Sequence, residues 1–149
     1  MFKFRLTPLL KIRENLRREK QAELAKALEA ETVVVEKLTE IEQNMLHVKE
    51  EARTRILRGK ISVDFMVGLR RHEAFLLAQQ RQIREQLEIL RTEIEKRREA
   101  VREADKEVRV MEKLHEKQKD RYDFEERNKE TLFMDEIAIQ KTARQVSVR

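Results

Sequence analysis

From Ile83 to Met111 apolar residues recur in alternating steps of four and three: Ile83, Leu87, Leu90, Ile94, then Val101, Ala104, Val108 and Met111. Arg97 alone interrupts the series, and the residues between are almost all charged or polar. A 3.5-residue repeat places one narrow apolar seam along a helix and leaves the remaining faces wet. Such a seam cannot enclose a globular core. It has to be zipped against a second helix, so the chain reads as an all-α coiled coil that works by contact.

The partner helix is expected within the same chain. Thr7 is a suitable N-cap and Pro8 suits a first helical turn, where the missing N–H costs nothing. No breaker follows until Gly59. The apolar positions on the way are Leu10, Leu16, Leu24, Leu28, Val35, Leu38, Ile41, Met45, Val48 and Ala52, with Glu31 in a slot the repeat would make apolar. Arg58-Gly59 supplies a cation for the last turn and a residue for the left-handed closing position. Ser62 then reads as a second N-cap, with Asp64 placed to suit the helix dipole.

The predicted organisation is a single hairpin: helix 1 over about 8–58, a turn at 59–62, helix 2 over about 63–138, and a frayed tail from Val146 to Arg149. At 1.5 Å per residue helix 1 would run roughly 76 Å and helix 2 about 110 Å. Folding about the turn sets Leu38 near Ile83, Leu28 near Ile94, Leu24 near Arg97 and Leu10 near Met111. Residues from about Leu114 onward should then overhang without a partner in the chain. The seam turns polar there, through His115, Gln118, Tyr122, Glu125 and Lys129, yet Tyr122, Phe124, Leu132, Phe133 and Ile137 remain. A helix this wet has little reason to carry them unless something docks on it.

Charge and composition narrow the function classes. Charged residues make up 42% of the chain, and 34 basic side chains face 29 acidic ones for a net charge of +5. The signs are mixed along the helices, in pairs such as Glu14–Arg18, Glu51–Arg55, Glu93–Arg97, Asp105–Arg109 and Asp123–Arg127. Nucleic-acid binding calls for a segregated basic stripe, and only the end, with Lys141, Arg144 and Arg149, approaches one. No apolar run approaches the ~20 residues of a membrane span, and the first residues do not read as a secretory signal. A cytoplasmic protein without membrane insertion is expected.

No catalytic, cofactor or metal site is expected either. His47, His72 and His115 are dispersed, and His72-Glu73 has Leu76 where a zinc-protease helix would carry its second histidine. Carboxylates are plentiful, but catalysis needs a water-excluding pocket that a two-helix hairpin does not build. Two glycines cannot write a phosphate-cradling loop. Phe2 and Phe4 are expected to pack on the overhang, and Phe65 and Phe75 to fill the hairpin turn. Arg97 should snorkel to a neighbouring glutamate and help set register.

Three stretches resemble the flagellar export protein FliJ family. The opening Phe2-Lys3-Phe4-Arg5-Leu6-Thr7-Pro8-Leu9-Leu10-Lys11-Ile12-Arg13 is similar to its aromatic-x-aromatic-x-Leu lead; Gly59-Lys60-Ile61-Ser62, with Phe75-Leu76 and Ile83, resembles its turn and second-helix start; and Met134-Asp135-Glu136-Ile137-Ala138 resembles its Asp-Glu-hydrophobic-Ala close. The resemblance implies a non-enzymatic part of the flagellar type III export apparatus, cytoplasmic and peripheral at the flagellar base. A monomer in isolation is expected from Gly59 and Ser62, stop and start signals that a parallel dimer would not need. The resemblance also implies that the end carrying both termini engages the hexameric export ATPase, through Phe2, Phe4, Tyr122, Leu132, Phe133 and Ile137. The cytoplasmic domain of the export-gate membrane protein would meet Phe75, Gln79, Gln82 and Gln86, with Leu38 and Met45 opposite. Export chaperones are further implied partners. The equivalent stalk protein of an injectisome, a scaffolding coiled coil and a basic nucleic-acid-binding coiled coil are the alternatives.

Overall fold

The computed structural model describes residues 1–59 and 61–147. Two helices, α1 (Thr7–Leu57) and α2 (Val63–Ser147), pack against each other as an antiparallel hairpin with α2 the longer. No strand occurs among the described residues. α2 continues beyond Ala138 because nothing from Ile139 to Gln145 breaks a helix. Of the tail expected to fray, Val148 and Arg149 lie outside the described residues, as does Lys60 of the turn.

Both punctuation marks around the turn act as their chemistry dictates. Gly59 takes φ +71°, open to glycine at little cost, and its N–H donates to the Ile56 carbonyl at 3.1 Å. Ser62 caps α2, its Oγ accepting from the Phe65 N–H at 3.1 Å. The Arg55 guanidinium lies over the Phe65 ring, 4.7 Å from its centroid, clasping the last turn of α1 to the first of α2. The start of α1 differs from expectation. Leu6, not Thr7, is the capping residue: its carbonyl accepts from the Leu10 N–H at 2.9 Å. The Thr7 hydroxyl instead donates to the Phe4 carbonyl at 2.7 Å, tying the lead segment to the helix it precedes.

The packing divides into two compact units. In the unit Arg18–Arg102, the α2 seam follows the predicted steps, with Leu76, Leu87 and Ile94 buried and Ile83 and Leu90 half-buried. The α1 seam runs Leu24, Ala27, Glu31, Val34, Leu38, Ile41, Met45, Val48, Ala52. That corrects two positions, since Ala27 and Val34 face inward while the bulkier Leu28 and the equal-sized Val35 stand exposed beside the seam. Unbroken 3–4 spacing outweighs side-chain size. The register matches the predicted pairing. Arg97 donates to the Glu23 carbonyl at 2.7 Å, next to Leu24, and pairs with Glu93 at 3.1 Å. Glu31, the acid in an apolar slot, receives Arg91 at 3.0 Å.

In the second unit, Met1–Arg17 packs against α2 from Glu103 on. Ala104, Val108 and Met111 are buried, Val108 completely. Opposite them α1 offers arginines, and these are paired: Arg13 with Glu107, and Arg17 with Asp105 at 3.3 Å. The Arg17 Nε is buried without a hydrogen-bond partner. Flanking ion pairs such as Arg55–Glu51 and Arg109–Asp105 are exposed i,i+4 contacts, each contributing at most a few tenths of a kcal/mol. Arg127 reaches the backbone carbonyl of Asp123 rather than its carboxylate.

Along the helices, stability should therefore follow the seam. Leu87→Ala or Ile94→Ala is expected to cost roughly 2–4 kcal/mol, whereas Leu132→Ala, at a side chain 69% exposed, should leave thermal unfolding unchanged. A circular-dichroism melt of the three variants checks this.

Candidate partner-binding surface

The lead segment covers more of α2 than the sequence suggests. Phe4 is 8% exposed, and its ring meets His115 edge-on at 4.8 Å between centroids. Phe2 meets the same imidazole at 5.5 Å and the Tyr122 ring at 5.6 Å, both favourable aromatic distances. The terminal ammonium of Met1 donates to the Tyr122 hydroxyl at 3.0 Å. The free overhang expected from Leu114 is thereby shortened, because six residues of non-helical chain precede Thr7 and extended chain reaches further per residue than helix. His115, a polar seam position, is half-buried between the two phenylalanines.

Beyond Tyr122 most of the described apolar side chains of α2 are open. Leu132 is 69% and Phe133 63% exposed, and Phe124, Met134 and Ile139 are similarly open, while Ile137 is half-buried. Of the six termini-end residues, Phe2, Phe4 and Tyr122 are thus gathered by internal contacts, and Leu132, Phe133 and Ile137 sit further along α2. Phe124, Met134 and Ile139 extend that apolar surface. The run Leu132-Phe133-Met134 followed by Ile137 and Ile139 was the signal for the last two. Charge is local here, with Arg121–Glu125 and Lys129–Glu126 pairs along the helix. Hydrogen bonding to Glu126 and that residue's charge hold the Lys129 ammonium above the usual lysine value, on an exposed side chain.

The six residues assigned to the other unit do not share one surface. Phe75 (57% exposed), Gln79, Gln82 and Gln86 recur at 4-3-4 spacing along the flank of α2. Phe75 stands out from the helix instead of filling the turn, a role left to Phe65. Leu38 and Met45 belong to the seam itself and are half-buried. Met45 lines a groove with Arg70, Ala74 and Leu77 that contains none of Phe75, Gln79, Gln82 or Gln86. No group of histidine and acidic residues among those described could hold a metal ion. No described helix is long and apolar enough to cross a membrane.

The family model described as Flagellar FliJ protein matches residues 2–147. The chain belongs to the FliJ family. The match takes in the whole hairpin, from Phe2 in the lead segment to the last described turn of α2. Membership makes the chain a coiled-coil protein of flagellar export, in a family of structural export components rather than enzymes. No curated protein and no solved structure matches the chain.

The FliJ lead segment yields its own prediction. Phe4→Ala should lower stability by about 3 kcal/mol, toward the low end for a buried phenylalanine. It should also shift the His115 ring-proton resonances as the ring-current contact is lost. Leu9→Ala, at an exposed position in the same unit, should do neither.

Proposed function

We propose that this FliJ-family protein is a non-enzymatic link in the flagellar type III export apparatus, joining the export ATPase ring to the cytoplasmic domain of the export gate and assisting export chaperones. The observation that carries the reading is the bare apolar surface of α2 after Tyr122. Large side chains left open on so charged a helix serve best as anchors, since truncating a few such residues typically removes most of an interface's affinity. On this reading Leu132, Phe133 and Ile137 contact the ATPase directly. Phe2, Phe4 and Tyr122 act mainly by holding the lead segment against α2.

The gate would take the flank carrying Phe75, Gln79, Gln82 and Gln86. Leu38 and Met45 are already engaged in the seam, so they support that flank more than they touch a partner. The family match supports the flagellar apparatus over an injectisome, and the working place is the inner face of the membrane at the flagellar base. Ion pairs of both signs along both helices leave nucleic acid without a basic stripe to follow.

Leu132→Ala with Phe133→Ala is expected to leave circular dichroism and hairpin melting unchanged while weakening binding to the export ATPase by about 2–4 kcal/mol. Phe75→Ala with Gln79→Ala should spare the ATPase and weaken binding to the gate domain. One titration series, both variants against both partners, measures this. Normal ATPase binding by the first variant would remove the physical basis of the proposal.

A further inference from the structure

Beside the turn α2 carries a second stripe at seam spacing, about a third of a turn round the helix from the one that meets α1. Val63, Val67, Arg70, Ala74 and Leu77 follow in steps of four, three, four and three, and all are exposed, Val63 at 81%. After Leu77 the steps meet Arg81 and Arg84, so the apolar part ends there. Two concave surfaces lie along the stripe. One is lined by Ile61, Val63, Met66, Val67, Arg70 and Ala74, and the groove with Met45, Val48 and Leu77 takes in Arg70 and Ala74 as well.

Alternating steps of four and three make the rows of holes that receive the knobs of another helix. Four helical turns span the stripe, enough for two heptads. Among the residues lining the two surfaces Arg70, Arg71 and Lys49 are basic and Glu73 is the one acid, paired with Arg70 at 3.6 Å. The Arg70 side chain remains 78% exposed, free to reach a second carboxylate.

We propose that the face of α2 from Val63 to Leu77 docks a third helix, an amphipathic segment of another protein whose apolar stripe is flanked by acidic residues. A second copy of this chain fits poorly, because a self-paired face would set Arg70 and Arg71 against their own counterparts. An anionic lipid surface would suit the arginines, but a flat layer would leave the concave borders unfilled. This surface includes none of Phe75, Gln79, Gln82 and Gln86, the flank proposed for the gate, so the two readings stand or fall separately.

The test uses the full chain and a synthetic amphipathic helix of about three heptads, leucine on its stripe and glutamate on both flanks. A control peptide carries lysine in place of glutamate, and phosphatidylglycerol vesicles form a third arm. The acidic helix should bind at least about tenfold more tightly than the basic one. Val67→Asp, and separately Arg70→Ala with Arg71→Ala, should each weaken it about tenfold, with melting unchanged for the arginine variant. Phe75→Ala should bind normally. Equal binding of the two peptides overturns the proposal, as does normal binding by the arginine variant. Binding to vesicles with none to the acidic helix overturns it too, and would make the face a membrane contact.

Discussion

Everything in this chain depends on one stripe of side chains, about two residues wide, along which α1 and α2 interlock. Neither helix has another buried face: the described interior consists of Phe4, Ala27, Ile41, Ala52, Leu76, Leu87, Ile94, Ala104, Val108 and Met111. Helices with mixed charge all round gain little from isolated ion pairs, so burial along that line is what holds the hairpin. Among the described residues the interior is a single line of side chains, as a two-helix hairpin requires.

Polar residues within the stripe decide how the helices align. An apolar seam alone tolerates a slip of one heptad, because each step of seven restores the same pattern. Glu31 facing Arg91 and the Arg13–Glu107 and Arg17–Asp105 pairs bias that choice, since a slip of seven one way would set Arg17 against Arg98 and Arg13 against Ala100. A slip would strand partly buried charge, so stability given up at these positions returns as a single register. The aromatic cluster of Phe2, Phe4, His115 and Tyr122 extends the same logic to the lead segment, which no helical repeat could have positioned.

What the hairpin leaves bare is as ordered as what it buries. The apolar residues beyond Tyr122 and the 4-3 stripe beside the turn lie in separate packing units and differ in kind: the first mixes aromatic and aliphatic side chains, the second is aliphatic with an arginine rim. Exposed apolar side chains bring no stability to a monomer and promote association. Their arrangement along helix faces is what helical partners can read.

The hairpin, its turn and its register were legible in the sequence because they rest on local chemistry and on spacing. Gly59 can close a helix, Ser62 can cap one, and a run from Ile83 to Met111 has one arrangement that keeps it dry. Coverage was decided by the fold. Whether Ala27 or Leu28 faces inward depends on the partner helix, not on which side chain is larger. That Thr7 binds the lead segment instead of capping α1 follows from where Phe4 comes to rest. Phe2 and Phe4 close over His115 because a non-helical segment bends back along α2, a path without periodicity to betray it. The outward stripe through Val63, Val67 and Leu77 could be recognised as surplus only once the inward seam had been satisfied.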